Sequence, residues 1–311
     1  MNTSEVLISL VLPIHNEEGN IPELYARSKK VLSSLGCHEI IFINDGSQDQ
    51  SLEKLLEICE KDKNVKVIDF SRNFGHQMAI TAGINSAGGQ AVVVMDSDLQ
   101  DPPEVICELF AKWREGFEVV RAKRKTRQDG FFKKITAYFF YRTMRKLANV
   151  DIMEDAGDFY LMDRRAIDAM NGIGESSRFM RGLTSWIGFK RTHILFDRDE
   201  RKTGKTAYTI KKMIKLAIDG LTSFSYIPLK LATYLGLLST VIGFILGIYA
   251  IYQKIYFPQT TAQGWTSLIL TVLFIGGIQL VVLGIMGEYI GRIYTETKKR
   301  PLYVVRQKIN F

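Results

Sequence analysis

The chain has 311 residues, 46% of them hydrophobic and 24% charged, enough to bury a large core, and it reads as one domain plus an appendage. Its net charge of +8 comes without a dense Lys/Arg run interleaved with aromatics. That excludes a nucleic-acid binder and favours anionic lipid or phosphate as the partner. Cys37, Cys59 and Cys107 are scattered and lack metal-type spacing, which excludes a disulfide framework and points to reduced thiols in a cytoplasmic domain. Residues 1–5 run directly into a strand, so no cleavable signal sequence is expected.

Taken in order, residues 6–12 form an apolar run closed by Pro13, followed by a loop through His15, Asn16, Glu17 and Glu18 and a helix over 21–35. A second strand at 39–43 ends in Asn44, Asp45, Gly46, Ser47, Gln48 and Asp49, and a helix runs to 61. A third at 65–70 leads through Ser71, Arg72, Asn73, Phe74, Gly75 and His76 into a helix reaching 87. Residues 90–95 are the fourth strand. Strands alternating with helices imply a parallel, doubly wound sheet whose loops at the carboxyl ends of the strands share one crevice. There Pro13, Asn16 and Glu17 shape a pocket floor, and Asp45 accepts a hydrogen bond from a base such as uracil. Gly46 and Ser47 let the backbone approach a ribose. Each is also an ordinary turn residue, so the signal lies in their joint occurrence at successive strand ends. No Gly-rich phosphate loop is present, which leaves a diphosphate to be neutralised by metal and by Lys or Arg.

The fourth strand ends abruptly in Asp96, Ser97, Asp98, Leu99, Gln100, Asp101, Pro102, Pro103 and Glu104. Extended backbone would put Asp96, Asp98 and Gln100 on one side and Ser97 and Leu99 on the other. Such oxygens suit Mg2+ or Mn2+ bridging two phosphates, while a solvated turn before a helix accounts for an isolated Asp-x-Asp equally well.

These four loops together resemble the family 2 inverting glycosyltransferases with a GT-A fold, and more narrowly the polyprenyl-phosphate glycosyltransferases. That group contains dolichol-phosphate mannose synthase and bacterial bactoprenol glucosyltransferases. The resemblance extends over nearly the whole chain; one departure is Asn44, where the family usually has Asp. It implies that Asp96 and Asp98 hold the metal, Mg2+ or Mn2+, with Gln100 as a further ligand, opposite the departing nucleoside diphosphate. It also makes Asp158, in the stretch Gly157, Asp158, Phe159 through Asp163 and Arg164, the base or acceptor-orienting carboxylate. The plain alternative reads Asp155 and Asp158 as caps or as salt-bridge partners of Arg164 and Arg165. Arg201 and Lys205 match a loop that closes over the donor diphosphate, although the family commonly carries Lys where this chain has Ala207.

A fifth strand at 118–122 is followed by a basic, aromatic segment. It is either a solvated amphipathic helix or a membrane-facing element whose Arg124, Arg127, Lys133 or Lys134 grips a lipid phosphate. Residues 210–224 have helical apolar spacing with Lys211, Lys212 and Lys215 opposite, as in a helix lying in the membrane interface. Residues 231–252 and 266–287 contain no charged residue, and each can cross about 30 Å of hydrocarbon. Lys298, Lys299, Arg300, Arg306 and Lys308 follow the second span, whereas the intervening link has one Lys. The large domain and both termini are therefore expected in the cytoplasm.

The expected organisation is a GT-A domain over 1–208, an interfacial helix over 209–228, two transmembrane helices within 229–290 and a basic cytoplasmic tail over 291–311. The expected activity is inverting transfer of one sugar, glucose from UDP-glucose first, to undecaprenyl phosphate at the cytoplasmic face of the plasma membrane. Mannose, N-acetylhexosamine and aminoarabinose-type donors stay open. So does a non-catalytic membrane scaffold, although that reading predicts loss of the acidic residues. A processive synthase would add a Gln-x-x-Arg-Trp motif, which is absent. Gly243, Gly247, Gly276 and Gly277 allow a homo-oligomer without requiring one.

Overall fold

The apolar runs of the first hundred residues become strands β1 (Ile8–Ile14), β2 (His38–Asn44), β3 (Val65–Phe70) and β4 (Ala91–Val94). Helices α1 (Ile21–Leu35), α2 (Ser51–Lys61) and α3 (His76–Ser86) connect them. The structure is a computed structural model that describes residues 6–125, 156–176, 178–197, 225–256 and 264–311. β1 pairs in parallel with β2 and β4, and β2 with β3. Every residue of β1 and β4 is buried, as in a parallel sheet covered on both faces. α3 lies close against β1 because it carries Gly83: a Cβ there would stand 2.2 Å from Val11 Cγ1 and 2.8 Å from Ile43 Cδ1.

The sheet then widens. A 3-10 turn (Pro103–Val105) leads into α4 (Ile106–Arg114) and β5 (Val119–Arg124). After them come β6 (Ala156–Asp163), α5 (Arg164–Asn171), α6 (Met180–Trp186) and β7 (Arg191–Phe196). β6 runs antiparallel between β4 and β5, and β7 is parallel to β5. Arg164, one of the partners weighed for Asp158, instead donates to the carbonyls of Ala87 and Gly89, and Arg165 pairs with Glu118 at 3.2 Å.

Two helices, α7 (Ile227–Tyr256) and α8 (Trp265–Thr297), contain apolar stretches long enough to cross a membrane, with mean hydropathy 2.0 and 1.8. The chain divides into two compact units, Met1–Gly220 with Arg300–Phe311, and Leu221–Lys299. The end of the chain is more than a tail: α8 runs on to Thr297, and β8 (Val305–Ile309) adds to the sheet antiparallel to β3. Its charged residues read as a tail because an edge strand exposes them. The sheet order is β7-β5-β6-β4-β1-β2-β3-β8, the doubly wound and mostly parallel arrangement expected, with β6 and β8 reversed. The interfacial helix expected at 210–224 lies outside the described residues.

Candidate active site

The carboxyl ends of β1, β2 and β3 are tied to one another by their own loops. Asn16, at a left-handed φ of 56°, donates its backbone N–H to Ser47 Oγ at 3.1 Å and accepts from Gln48 N at 2.8 Å. Gly46, at φ 63°, brings the second loop onto the third: a Cβ would lie 2.5 Å from backbone atoms of Arg72 and Asn73. The Asp45 carboxylate then accepts the backbone N–H groups of Phe74 at 2.7 Å and Gly75 at 3.0 Å. The result is a polar cavity of about 490 Å³ whose wall includes Asn16, Asn44, Ser47, Asp69, Arg72 and Asn73.

Of the residues expected at this pocket, Asn16 and Ser47 line it, whereas Pro13, Glu17 and Asp45 support it from behind. Pro13 is buried in β1 opposite Ile43. Glu17 donates its N–H to Ser51 Oγ and accepts from Asn20 Nδ2. Asp45 is buried, and both its oxygens are engaged by the third loop.

The second half of the crevice is built where β4 meets β6. Leu99 takes a left-handed φ of 58° and is buried, as is Ser97, while Asp96, Asp98 and Gln100 alternate with them and stay half-buried. Gln100 N donates to Asp98 Oδ1 at 3.1 Å. His76, the first residue of α3, bridges two carboxylates: its Nε2 stands 3.3 Å from Asp96 Oδ1 and 3.4 Å from Asp158 Oδ2. Asp158, buried in β6, is held on both oxygens by Arg181, through Nε at 3.0 Å and Nη2 at 3.3 Å, and accepts from Gln77 Nε2 at 3.2 Å. Gln77 Oε1 in turn accepts from Met180 N at 3.1 Å, fixing α6 against α3. Arg121, fully buried under Tyr160, donates to the Arg181 carbonyl and to Thr184 Oγ1.

Electrostatics follow from that packing. Burial disfavours the imidazolium of His76, but its hydrogen bond to Asp158 and the charges of Asp96 and Asp158 outweigh it and bring the ring up to about 9. Burial also works against the Asp158 carboxylate, and Arg181 with His76 overrides it and holds Asp158 well below the usual carboxylate range. Burial raises Asp96; His76 opposes the rise, and the charges of Asp158 and Asp98 add to it. Burial brings Arg121 down to about 10; the charges of Arg181 and Arg191 add to the fall, and Tyr160 and Asp158 oppose it.

Arg124 ends β5, its Nη2 3.9 Å from the buried Asp101 carboxylate. Arg127, Lys133, Lys134, Arg201 and Lys205 lie outside the described residues. His76, Gln77 and Arg121 hold this half of the crevice together, and the sequence marks none of them strongly: His76 and Gln77 pass for a helix start, and Arg121 for part of a basic run.

Among the described residues no three His, Cys, Asp or Glu side chains gather as a metal cage. The turn after β4 nevertheless fits a hard, partly hydrated cation. Asp96 Oδ1 is buried and accepts no hydrogen bond beyond the 3.3 Å approach of His76 Nε2, and the donors offered by Asp96, Asp98 and Gln100 are all oxygens.

The sequence pattern described as glycosyl transferase family 2 matches residues 9–170, the stretch that supplies most of this crevice. The chain belongs to glycosyltransferase family 2. In this family 2 glycosyltransferase a second pattern, the GtrB C-terminal hairpin, matches residues 227–293, which hold α7 and most of α8. It is 52% identical over 301 residues to the uncharacterized glycosyltransferase YkcC of Bacillus subtilis (strain 168), covering 96% of this chain and 93% of the relative. It is 42% identical over 303 residues to the prophage bactoprenol glucosyl transferase homolog of Escherichia coli (strain K12), covering 96% and 98%. To the bactoprenol glucosyl transferase of Shigella phage SfV it is 40% identical over 304 residues, covering 97% and 98%. A solved structure of glucosyl-3-phosphoglycerate synthase from Mycobacterium tuberculosis, with Mn2+, uridine-diphosphate-glucose and phosphoglyceric acid, aligns at 17% identity and a TM-score of 0.47. That match covers 70% of this chain and 78% of the other.

Proposed function

We propose that this family 2 glycosyltransferase moves a single glucose from UDP-glucose to the phosphate of undecaprenyl phosphate, inverting the anomeric carbon. The observation that carries the reading is the meeting of Asp96 and Asp158 through His76 beside the polar cavity of the β1–β3 loops. A donor laid across the crevice puts its nucleoside in the cavity and its sugar at the carboxylates. Relatives named bactoprenol glucosyl transferase, alike over nearly the full length of both chains, support the acceptor and the sugar.

Each residue then has a task. Asp96, Asp98 and Gln100 hold Mg2+ or Mn2+, which supplies Lewis-acid stabilisation of charge on the departing diphosphate. A lipid phosphate is already an anion at neutral pH and needs positioning more than deprotonation. Asp158, with both oxygens occupied and little surface exposed, suits that orienting role better than the role of a free base. Arg181 and Gln77 fix its direction. Asn16 and Ser47 contact the nucleoside, and Asp45 sets the loops that do so. Arg124, Arg127, Lys133 and Lys134 are assigned to the lipid phosphate, and Arg201 and Lys205 to the diphosphate.

The two long helices form the membrane anchor, with the sheet-bearing unit in the cytoplasm. Segments on both sides of the helix pair belong to that one unit, which an even number of crossings allows. Lys298, Lys299 and Arg300 follow the second helix, in keeping with the inside bias of positive charge.

The test is incubation of the full-length protein, purified in detergent, with undecaprenyl phosphate, Mg2+ or Mn2+ and a panel of labelled nucleotide sugars. Label from UDP-glucose is expected to partition into organic solvent as a β-linked lipid and to vanish with EDTA. Label from another donor would reassign the sugar, an α-linked product would remove inversion, and no lipid-linked label from folded protein would remove the reaction.

A further inference from the structure

The chain returns to the sheet-bearing unit at Arg300, and the strand it then adds reaches the polar cavity. Along β8 and β3, Val67 faces Ile309, Ile68 faces Lys308 and Asp69 faces Gln307, but Phe70 faces Val305. The register skips Arg306, the extra residue of a β-bulge. A bulge on an edge strand bends the strand and re-aims a side chain, and here the re-aimed group is a guanidinium in the cavity wall. Arg306 Nη2 donates to the Ser71 carbonyl at 3.0 Å, and Nη1 lies 3.5 Å from Asp69 Oδ2. Asp69 is fully buried and also accepts from Asn44 Nδ2 at 2.7 Å.

Other contacts attach the strand. Tyr303 stacks on Phe70 with ring centroids 5.0 Å apart, and Ser71 N donates to the Val304 carbonyl at 3.0 Å. At the far end Asn310 Nδ2 donates to the carbonyls of Cys59 and Val65 at 2.9 and 2.8 Å. Arg306 itself keeps 59% of its side chain exposed, and an arginine has more N–H donors than these two contacts use.

Resting on the donor reading above, we infer that Arg306 binds the nucleoside end of the nucleotide-sugar donor, so that the strand following the second long helix completes the donor site. Asp96, His76 and Asp158 are not in this cavity wall, which therefore takes the part of the donor away from the reacting carbon. A guanidinium anchored by a buried carboxylate and a backbone carbonyl has further N–H donors to offer the carbonyl oxygens on the edge of a pyrimidine base.

The test titrates full-length protein in detergent with UDP, CDP, GDP and ADP by calorimetry, wild type first. Arg306→Ala is expected to bind the preferred nucleotide roughly tenfold or more weakly. Arg306→Lys is expected to recover part of that loss, since an ammonium lacks the planar fork. The same factor is expected with the nucleoside monophosphate, which retains the base and ribose. Asn310→Ala, which loosens β8 away from the cavity, is expected to keep wild-type affinity. Affinity of Arg306→Ala within about twofold of wild type would overturn the assignment, as would an equal loss in Asn310→Ala or a loss confined to the diphosphate. Should Arg306→Ala not fold, Arg306→Lys and Arg306→Gln carry the comparison. A wild type that binds no nucleotide overturns the donor reading itself, and that result is in hand before any variant is made.

Discussion

Asp158 shows how much a carboxylate's role depends on its partners. Its oxygens meet Arg181, His76 and Gln77 within 3.4 Å, so the charge is fixed in direction as well as sign. Asp158→Asn keeps the shape and removes the charge that Arg181 and His76 answer. Turnover is expected to fall about 100-fold, with UDP affinity changed by less than about threefold, checked by initial rates alongside calorimetry. Equal losses in both would make Asp158 a structural tie. The motif around Asp158 was legible in the sequence, as were Asp96, Asp98 and Gln100, because each group is contiguous. His76 was legible only as the end of a loop, since its two carboxylate partners come from different strands.

At the scale of elements, the parallel strands are held in register by more than apolar packing. Glu39 on β2 accepts from Ser9 Oγ of β1 and from Gly88 N, both at 2.6 Å, and pairs with Lys66 of β3, also at 2.6 Å. Burial works against the carboxylate, and Lys66, Ser9 and Gly88 together hold it below the ordinary 4.5. A lowered folded value stabilises above the ordinary value, and that contribution is lost as pH falls through the folded one. Glu39→Gln is therefore expected to cost about 1–3 kcal/mol near neutral pH, with the gap in thermal midpoint from wild type closing as the solution is acidified below 4.5. Gly83 serves the contact of α3 with β1, and through it the position of His76. Gly83→Ala is expected to cost about 1–3 kcal/mol as a lower thermal midpoint, and Val11→Ala in the same chain to recover part of it. Apolar periodicity revealed the strands and helices up to β5. It missed β8, whose lysine and arginine content imitates a solvated tail.

For the molecule as a whole, the side of the membrane is tested with the chain's own thiols. Cys37 and Cys107 are exposed in the sheet-bearing unit, while Cys59 is buried and its thiol is raised to about 11. In intact cells a membrane-impermeant maleimide is expected to leave the protein unlabelled, and permeabilisation is expected to admit label at Cys37 and Cys107 only. Label on intact cells would place the catalytic unit outside and overturn the cytoplasmic assignment.

The sequence by itself determined the alternation of strands and helices, the acidic turn after β4 and the two long apolar helices. These are local patterns: burial on both faces of a strand selects consecutive apolar residues, and hydrocarbon excludes charge over a fixed length. Only the tertiary structure decided which side chains converge. Asp45 was expected at a base, but the close approach of the second and third loops at Gly46 gives its carboxylate to the backbone of Phe74 and Gly75. Gln77 reaches Asp158 across 81 residues, and Arg306 reaches Asp69 across 237. Contacts at such separations depend on sheet order and on a skipped residue in register, and neither leaves a periodic trace in the chain.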